Sequence, residues 1–433
     1  MPTTATLSDL AQKLCRKAER LDALSATPDA SSASTEGNVL TEAVITRREL
    51  LELAREVQTV AQTPSDFLSN HQVHYQTFAC LRWLLRFDIF TLVPSDLKSI
   101  SYESLASAAS VPVGMLRSVT RMAITSGLFH EPEAGHIAHS FLSLPFANSE
   151  DSALRDWARF VTEYGQPSAA ALADATAKWG ATTARNETAY NVAFDTSLPF
   201  FEDIKQRPGR ADEFSRYMIS QARDDGLREE HLVHGFDWLA HFGDKAHVVD
   251  VGGSSGFVAA ILAKTFSKYT FTVQDLPEAI SSGRKTMDAL CVPEDVSSRI
   301  QFLAHDFFQP QQKQDQRGPD AYLLRKILHD WPAERARLIL SNLAAAVRDF
   351  GTPATRIVVM DTILPPPGAI PRAQEAKLRV RDLVMAQNFN AGERELAVWE
   401  ELFSSAEPKL KLVEWVQPPG SAMAVMVAQL ASE

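Results

Sequence analysis

Cysteine is scarce in this sequence and follows no pattern. Cys15, Cys80 and Cys291 lie far apart in 433 residues, with no C-x-x-C spacing. A disulfide framework is therefore excluded, and the three read as free or buried thiols of a reducing compartment. Long apolar runs are missing too: none reaches the roughly 20 residues that a membrane-spanning helix needs. The opening stretch MPTTATLSDL has no basic patch followed by an apolar core, so no signal peptide is expected. For the same reason the sequon of Asn186, Glu187 and Thr188 carries little meaning. Positive charge is also in short supply. The 43 basic residues are outnumbered by 54 acidic ones, for a formal charge of −11. That balance argues against nucleic-acid and anionic-membrane partners. A cytoplasmic protein is the expectation. Its hydrophobic content of 45% is ordinary for a chain with a sizeable core. The length suggests two or three domains.

What is present begins with helices. Leu7, Leu10, Ala11, Leu14, Ala18 and Leu21 recur at helical spacing. Residues 25–38 are a Ser/Ala/Thr-rich linker, and a second amphipathic helix runs from about Leu40 to Thr63. Two helices ahead of any core must find an apolar surface elsewhere. A second subunit, giving a homodimer, and their own chain are both open as its source. Residues 1–64 are taken as this N-terminal segment.

From 65 to 150 the pattern is short helices followed by a small hairpin. HYQTFACLRWLLRFDIFTLVP reads as one apolar helix ending near Pro94. Tyr102 to Ala109 and Pro112 to Ser126 follow, and then strands at Gly127 to His130 and His136 to His139. Helix-turn-helix plus hairpin is a winged-helix pattern, which raises DNA binding as a rival function. The second helix carries only Arg117 and Arg121, however, and the hairpin carries Glu131 and Glu133, so a basic reading face is not expected. Residues 151–240 read as a helical connection, including Ala153 to Tyr164, Asn191 to Phe201, Phe214 to Ala222 and His231 to Phe242. Phe194, Phe200 and Met218 in it are either core or the walls of an apolar acceptor pocket.

From 241 to 433 the pattern changes. HVVDVGGSSGFVAAILAKTFSKYTFTVQDL, His247 to Leu276, is strand, glycine-rich turn, helix, strand and acid, a βαβ unit. Glycine lets the backbone approach a ligand, and the helix N-terminus offers free N–H groups. Asp275 closes the second strand, where a carboxylate can bond a ribose diol. The dinucleotide spacing G-x-G-x-x-G fails, because Val251 stands two before Gly253. Asp250 at the end of the first strand suits a cationic amino-acid ligand and would repel a pyrophosphate. Strands and helices then alternate: Arg299 to Ala304, Asp320 to Leu324, the helix Ala333 to Asp349, and Arg356 to Met360. The expected fold class is α/β, a mainly parallel sheet with helices on both faces. LKLVEWVQ and AMAVMVAQL, joined by a PPGS turn, add an antiparallel edge hairpin. Asp250, Asp275, Asp306, the segment 325–330 and Asp361 all fall at carboxyl ends of strands, where ligands of such sheets bind.

D-V-G-G-x-x-G resembles motif I of the class I S-adenosylmethionine-dependent methyltransferases. VVDVGGSSG, VQDLPE, HDFF, LLRKILHDWP, VVMDTILP and GERE, in this order, resemble the plant and fungal O-methyltransferases of the caffeate and flavonoid type. The likeness spans roughly residues 65–430. It implies a Rossmann-like methyltransferase sheet preceded by an α-helical, winged-helix dimerisation domain. It implies S-adenosylmethionine as cofactor, with Gly252 and Gly253 near its methionine part and Asp275 on its ribose. Asp306 and Phe307 would meet its adenine. Arg325 falls where the family usually has lysine near the cofactor, with Lys326 beside it. His329 would be the general base, flanked and oriented by Asp361 and Glu393, with Asp330 on the acceptor side. The family often has glutamate at position 361. The shorter aspartate should make its bond to His329 longer or reorganised.

The chemistry fits on independent grounds. Methyl transfer is an in-line displacement, and a phenol attacks well only as it loses its proton. A histidine near neutrality can take that proton, and a neighbouring carboxylate fixes its tautomer. Standing alone, His329 reads rather as a helix-entry histidine before the Asp-Trp-Pro turn. Beside these carboxylates it reads as the base. His234, His241, His247 and His305 have no metal-ligand spacing, so no metal dependence is expected. The leading function is O-methylation of a small aromatic acceptor. The same fold used for N-methylation, decarboxylation or hydroxylation, and a non-catalytic winged-helix regulator, are the alternatives.

Overall fold

The computed structural model describes residues 6–25, 42–148, 152–221, 224–289, 292–313 and 318–432. Most of the 25–38 linker, and Cys291, lie outside the described residues. The described chain divides into two compact units. One is built from residues of 1–173 and 201–221, the other from 174–200 and 222–433. The segment 151–240, read in the sequence as one connection, is thus shared between the two units.

In the N-terminal unit the helices Leu7–Ser25 and Glu42–Ala61 pair with each other. Leu10 is buried, and Arg20 meets Glu42 at 2.6 Å. A third helix, Pro64–Arg86, starts at a capping box in which Thr63 and Asp66 each satisfy the other's backbone N–H, with proline in the first turn. It does not run on to Pro94 as the sequence suggests. Asp88 takes a left-handed conformation with φ 50°, which asparagine and aspartate tolerate best, and a separate turn Ile89–Leu92 follows.

The winged-helix pattern is realised. Strand β1 (Ile100–Ser101) precedes helices Tyr102–Ala109 and Val113–Ile124. Strands β2 (Phe129–Glu133) and β3 (His136–His139) complete an antiparallel sheet of order β1-β3-β2. Tyr102, Leu105, Leu116, Phe129 and Ile137 are its buried centre. The arginines of the second helix are occupied: Arg117 pairs with Glu103 at 3.1 Å and Arg121 with Glu131 at 2.9 Å. The helix Ala153–Phe160 widens into a π-type turn, Val161–Gly165, and Phe160 stacks on Tyr217 of helix Arg210–Gln221 at 3.9 Å.

The second unit is the sheet. Its strands are β4 (His247–Val251), β5 (Thr270–Asp275), β6 (Ile300–Ala304), β7 (Ala321–Arg325), β8 (Arg356–Asp361), a short β9 (Ile363–Leu364) and β10 (Arg394–Glu395), then β11 (Leu410–Val416) and β12 (Ala424–Leu430). Seven of them form one sheet of order β11-β12-β8-β7-β4-β5-β6. It is parallel from β8 to β6 and antiparallel at the β11–β12 edge. Successive strand residues point to opposite faces, so apolar runs such as VVMD bury both ways. Val248, Leu323, Val358 and Val425 pack with Ala259, Leu262 and Trp238 on one side. Val249, Leu324, Val359 and Met426 pack with Ile339, Leu340 and Leu343 of helix Ala333–Phe350 on the other. Each such buried aliphatic side chain stabilises the fold by roughly 1.5–3 kcal/mol.

Two helices expected from the sequence are broken. Asp195, at φ 48°, separates Ala189–Phe194 from Phe200–Gln206. Gly235 separates Glu230–His234 from Trp238–Phe242, and a Cβ there would come within 2.3 Å of Pro418. Among the longer helices, three have no counterpart in the sequence reading: Pro277–Ala289, Arg372–Phe389 and Leu396–Ser404. The second buries only Gln387, Asn388 and Phe389, so it lacks the apolar stripe by which periodicity reveals a helix. Among the described residues, no helix is long and apolar enough to cross a membrane.

Candidate active site

The glycine turn follows β4, at the centre of the sheet. Gly252 has φ 75°, and a Cβ on it would lie 2.6 Å from Ile327. A Cβ on Gly253 would lie 2.5 Å from Asp250 Oδ2. Glycine at both positions therefore lets Ile327 and the Asp250 carboxylate close on the turn. Asp250 is buried, and its Oδ2 accepts no hydrogen bond. Burial pushes its carboxyl up to about 7, against the pull of Arg325 and with a push from Asp275. A buried carboxylate with an unengaged oxygen needs a cation to be stable, which fits an ammonium-bearing ligand.

Asp275 ends the neighbouring strand. It accepts the Ser254 N–H at 2.9 Å and the Leu276 N–H at 2.7 Å. Asp306 follows β6 and accepts the Phe308 N–H at 2.9 Å. Phe307 stands beside the turn: its ring would be 3.6 Å from a Cβ on Gly252. It meets Trp331 edge-on at 5.8 Å. Gln274 and Gln311, which sequence reading passed over, form a reciprocal buried amide pair at 2.9 and 3.0 Å. That pair ties the segment after β6 to β5. Arg325 behaves differently from expectation. Its guanidinium donates to Glu229 at 3.2 Å and to the Leu227 carbonyl, so it is engaged within the protein, and its charge acts on Asp250 and Asp361. Reversal of the chain at Lys326, with φ 58°, separates it from the next residues. The Lys326 ammonium is half-buried and pushed down to about 8, first by desolvation and then by Arg325.

His329 lies on the turn Leu328–Asp330 after β7. The Lys326 N–H bonds Met360 O at 3.1 Å, which fastens this segment to β8. Arg394 grips the turn from the other side, donating to Leu328 O at 2.9 Å and Trp331 O at 2.7 Å. Strand β10 pairs with β9 in parallel, Arg394 opposite Ile363. That two-residue pairing brings Glu393, just before β10, beside Asp361 at the end of β8. Nδ1 of His329 is 2.9 Å from Glu393 Oε1 and 3.6 Å from Asp361 Oδ1. Neither oxygen of Asp361 makes a hydrogen bond, so it acts on the imidazole by charge alone. Nε2 faces Asp330 Oδ1 at 3.6 Å. Burial pushes the imidazolium down, but Asp361, Glu393 and Asp330 together outweigh it and raise the group to about 10. Burial pushes the Asp361 carboxyl up to about 6, opposed by His329. His329, Asp361 and Glu393 offer atoms within 4.8 Å of one another, a spacing that a cation could bridge. The Nδ1–Oε1 distance is that of a hydrogen bond between two of them.

Sequence reading missed Arg394 and Asp382, whose carboxylate accepts the Glu393 N–H at 3.0 Å. Arg394 stands inside GERE, next to the residue that was chosen. Asp382 lies in the helix that periodicity did not reveal. Of the apolar candidates, Phe194 and Phe200 share the ring of Tyr190. Phe200 is core, buried against Tyr190 at 4.9 Å and Phe389 at 5.3 Å. Phe194 is half-buried and packs on Tyr190 at 4.6 Å. Met218 is half-buried in the other unit.

The fold and the site define an α/β transferase sheet with its ligand groups along one edge. A family model described as an O-methyltransferase domain matches residues 172–407, more than half of the chain. The O-methyltransferase pgmB of Aspergillus terreus is 43% identical over 388 residues, covering 89% of this chain and 85% of that protein. The O-methyltransferase VdtC of Byssochlamys spectabilis is 42% identical, covering 88% of this chain and 85% of that one. Among solved structures, OxaC in complex with sinefungin and meleagrin matches with a TM-score of 0.76 over 98% of this chain and 99% of that one. Its identity is 19%, which speaks for the fold alone. The chain belongs to the O-methyltransferase family. It is an S-adenosylmethionine-dependent enzyme of that family.

Proposed function

We propose that the enzyme methylates a phenolic hydroxyl of a small aromatic acceptor in secondary-metabolite biosynthesis, with His329 as general base. The observation that carries this is the bonding of His329. Glu393 occupies Nδ1 at 2.9 Å, which fixes the tautomer and leaves Nε2 to receive a proton. When bound, S-adenosylmethionine supplies an electrophilic methyl group. Asp250 is suited to its amino group, Gly252 and Gly253 to close backbone approach, Asp275 to the ribose, and Asp306 with Phe307 to the adenine. Arg325 supports the pocket through Asp250. Nε2 takes the phenolic proton as the oxygen attacks. With His329 raised to about 10, base and phenol are nearly matched, since a free phenol titrates at about 10. Transfer between matched groups is close to isoenergetic, so little driving force is lost. Asp361 and Glu393 hold the imidazolium that results.

The test is a calorimetric titration with S-adenosylhomocysteine against an NAD control, followed by a phenol panel with labelled methyl donor. The reading expects binding of the first compound alone and methylation that His329→Ala abolishes. Equal loss of cofactor affinity and methylation in that variant would remove the base role.

The N-terminal helices and the winged-helix region serve a homodimer in this proposal, and the enzyme works in the cytoplasm. Support for the dimer comes from Leu51, Leu68, Val73 and Tyr75, large apolar side chains exposed on the N-terminal helices. Light scattering at the mass of one chain would refute it. The pairing of Arg117 and Arg121 with glutamates supports a role other than DNA reading.

A further inference from the structure

Arg185 stands beside this site, and nothing in the transfer step above uses it. Its guanidinium carbon is 4.1 Å from the Trp331 ring centroid and 5.8 Å from that of Phe389. Its segment is fixed at both ends. Asn390 Nδ2 donates to Ala184 O at 2.7 Å and Glu187 O at 3.1 Å. Thr182 donates to the Glu187 carboxylate at 2.5 Å, and Thr188 begins the next helix with a capping box. Asn390 is three residues before Glu393, so the frame that places Arg185 also carries a carboxylate of the histidine cluster.

The charges around Arg185 say what it faces. Burial pushes the Asp330 carboxyl up. His329, Arg185 and Lys326 draw it back down, while Glu393 adds to the push. Nε2 of His329, the nitrogen left open by Glu393, is on the Asp330 side at 3.6 Å. An acceptor reaching Nε2 therefore approaches Asp330 and the cation next to it. It also approaches three carboxylates, Asp330, Asp361 and Glu393, which repel any anion not met by a positive charge. A guanidinium lying on an indole face keeps its N–H donors at its edge, where a carboxylate or ionised oxygen can take two of them.

We propose that Arg185 determines acceptor specificity by binding an acidic oxygen, a carboxylate or ionised second hydroxyl, carried beside the hydroxyl that is methylated. The proposal rests on the methyltransferase reading above and names the acceptor class within it. An acid at that place on the acceptor meets the charge of Arg185 and orients the neighbouring hydroxyl toward Nε2. A neutral phenol has only the hydroxyl to hold it.

Two probes separate these cases: 3-hydroxy-2-naphthoate and 2-naphthol share rings and hydroxyl and differ by one carboxylate. Each is titrated by fluorescence into the enzyme saturated with S-adenosylhomocysteine. The wild type is expected to bind the naphthoate at least about tenfold more tightly. Arg185→Gln removes the preference. Arg185→Lys keeps part of it, because the charge stays and the fork is lost, and it serves if the glutamine variant fails to fold. Equal binding of the probes by the wild type, absence of binding for both, or a preference that survives in Arg185→Gln overturns the proposal. The S-adenosylhomocysteine titration is run first. Its failure removes the methyltransferase reading and this proposal with it. Success there with no probe preference removes the role of Arg185 alone. His329→Gln is expected to retain the naphthoate preference while losing transfer, which separates recognition from base catalysis.

Discussion

The two halves of the site are built by different means. Most of the proposed cofactor half comes from one continuous stretch, with Asp306 and Phe307 added from beyond β6. Asp250, Gly252, Gly253 and Asp275 lie within a single βαβ unit, and two glycines do the shaping. The acceptor half is gathered from 185, 326–331, 361 and 393–394, four separate places in the chain. A two-residue strand pairing and the grip of Arg394 on the histidine turn draw them together. Cofactor recognition can thus be carried by backbone shape. Proton transfer needs several charges whose values depend on one another, and these come from wherever the topology brings them.

The comparison breaks most sharply at His329. His329→Ala should lower kcat by about a thousandfold, the scale of a lost general base, with S-adenosylhomocysteine affinity unchanged by calorimetry. A parallel loss of affinity would mean that the halves are one unit. Glu393→Gln comes next. It keeps the shape but lowers the negative charge on Nδ1, and kcat should fall by about a hundredfold. Asp275→Ala should act in the opposite pattern. Removal of a charge-assisted acceptor should weaken S-adenosylhomocysteine by roughly 10- to 50-fold, while kcat at saturating cofactor changes little. A smaller and graded effect is expected from pH. The neutral imidazole is the base, and the group titrates at about 10, so kcat/KM should climb about tenfold per pH unit between 7 and 9. A plateau above 7 would mean that His329 is neutral at rest. Stability carries the reverse sign: the folded state favours the imidazolium, and that contribution fades as pH rises toward 10. Dialysis against EDTA should leave the rate unchanged. A loss restored by a divalent metal would make the 4.8 Å cluster a cation site.

The same contrast explains what could be read from the sequence. The cofactor half was legible because glycine spacing, strand ends and acids sit within thirty residues of each other, His247 to Leu276. His329, Asp361 and Glu393 were legible through the family likeness, but their geometry was not. A shorter aspartate left 3.6 Å to the imidazole, and Glu393 became the bonded partner. Arg325 was assigned to the ligand by position, yet Glu229 and Leu227 claim it. Such a distant pairing leaves no trace in local pattern. Phe200 shows the limit of residue type as a guide, since an aromatic suited to a pocket wall is equally suited to a core. Asp382 and Arg185 were invisible for a related reason. One sits on a helix without an apolar stripe, and the other on a loop whose placement depends on a residue some two hundred positions away.

That last bond, from Asn390 to the carbonyls of Ala184 and Glu187, bears on the order of events in folding. It closes a loop of 206 residues, among the most expensive kinds of contact for a chain to find. Part of what holds the loop that carries Arg185 is thus supplied from the end of the helix Arg372–Phe389. The glycine turn closes over shorter spans, with Phe307 and Ile327 its distant contacts. In a chain growing from its N-terminus, the face proposed to choose the acceptor gains this support late. Weakening of that helix should therefore surface first as careless substrate choice in an enzyme that still holds its cofactor.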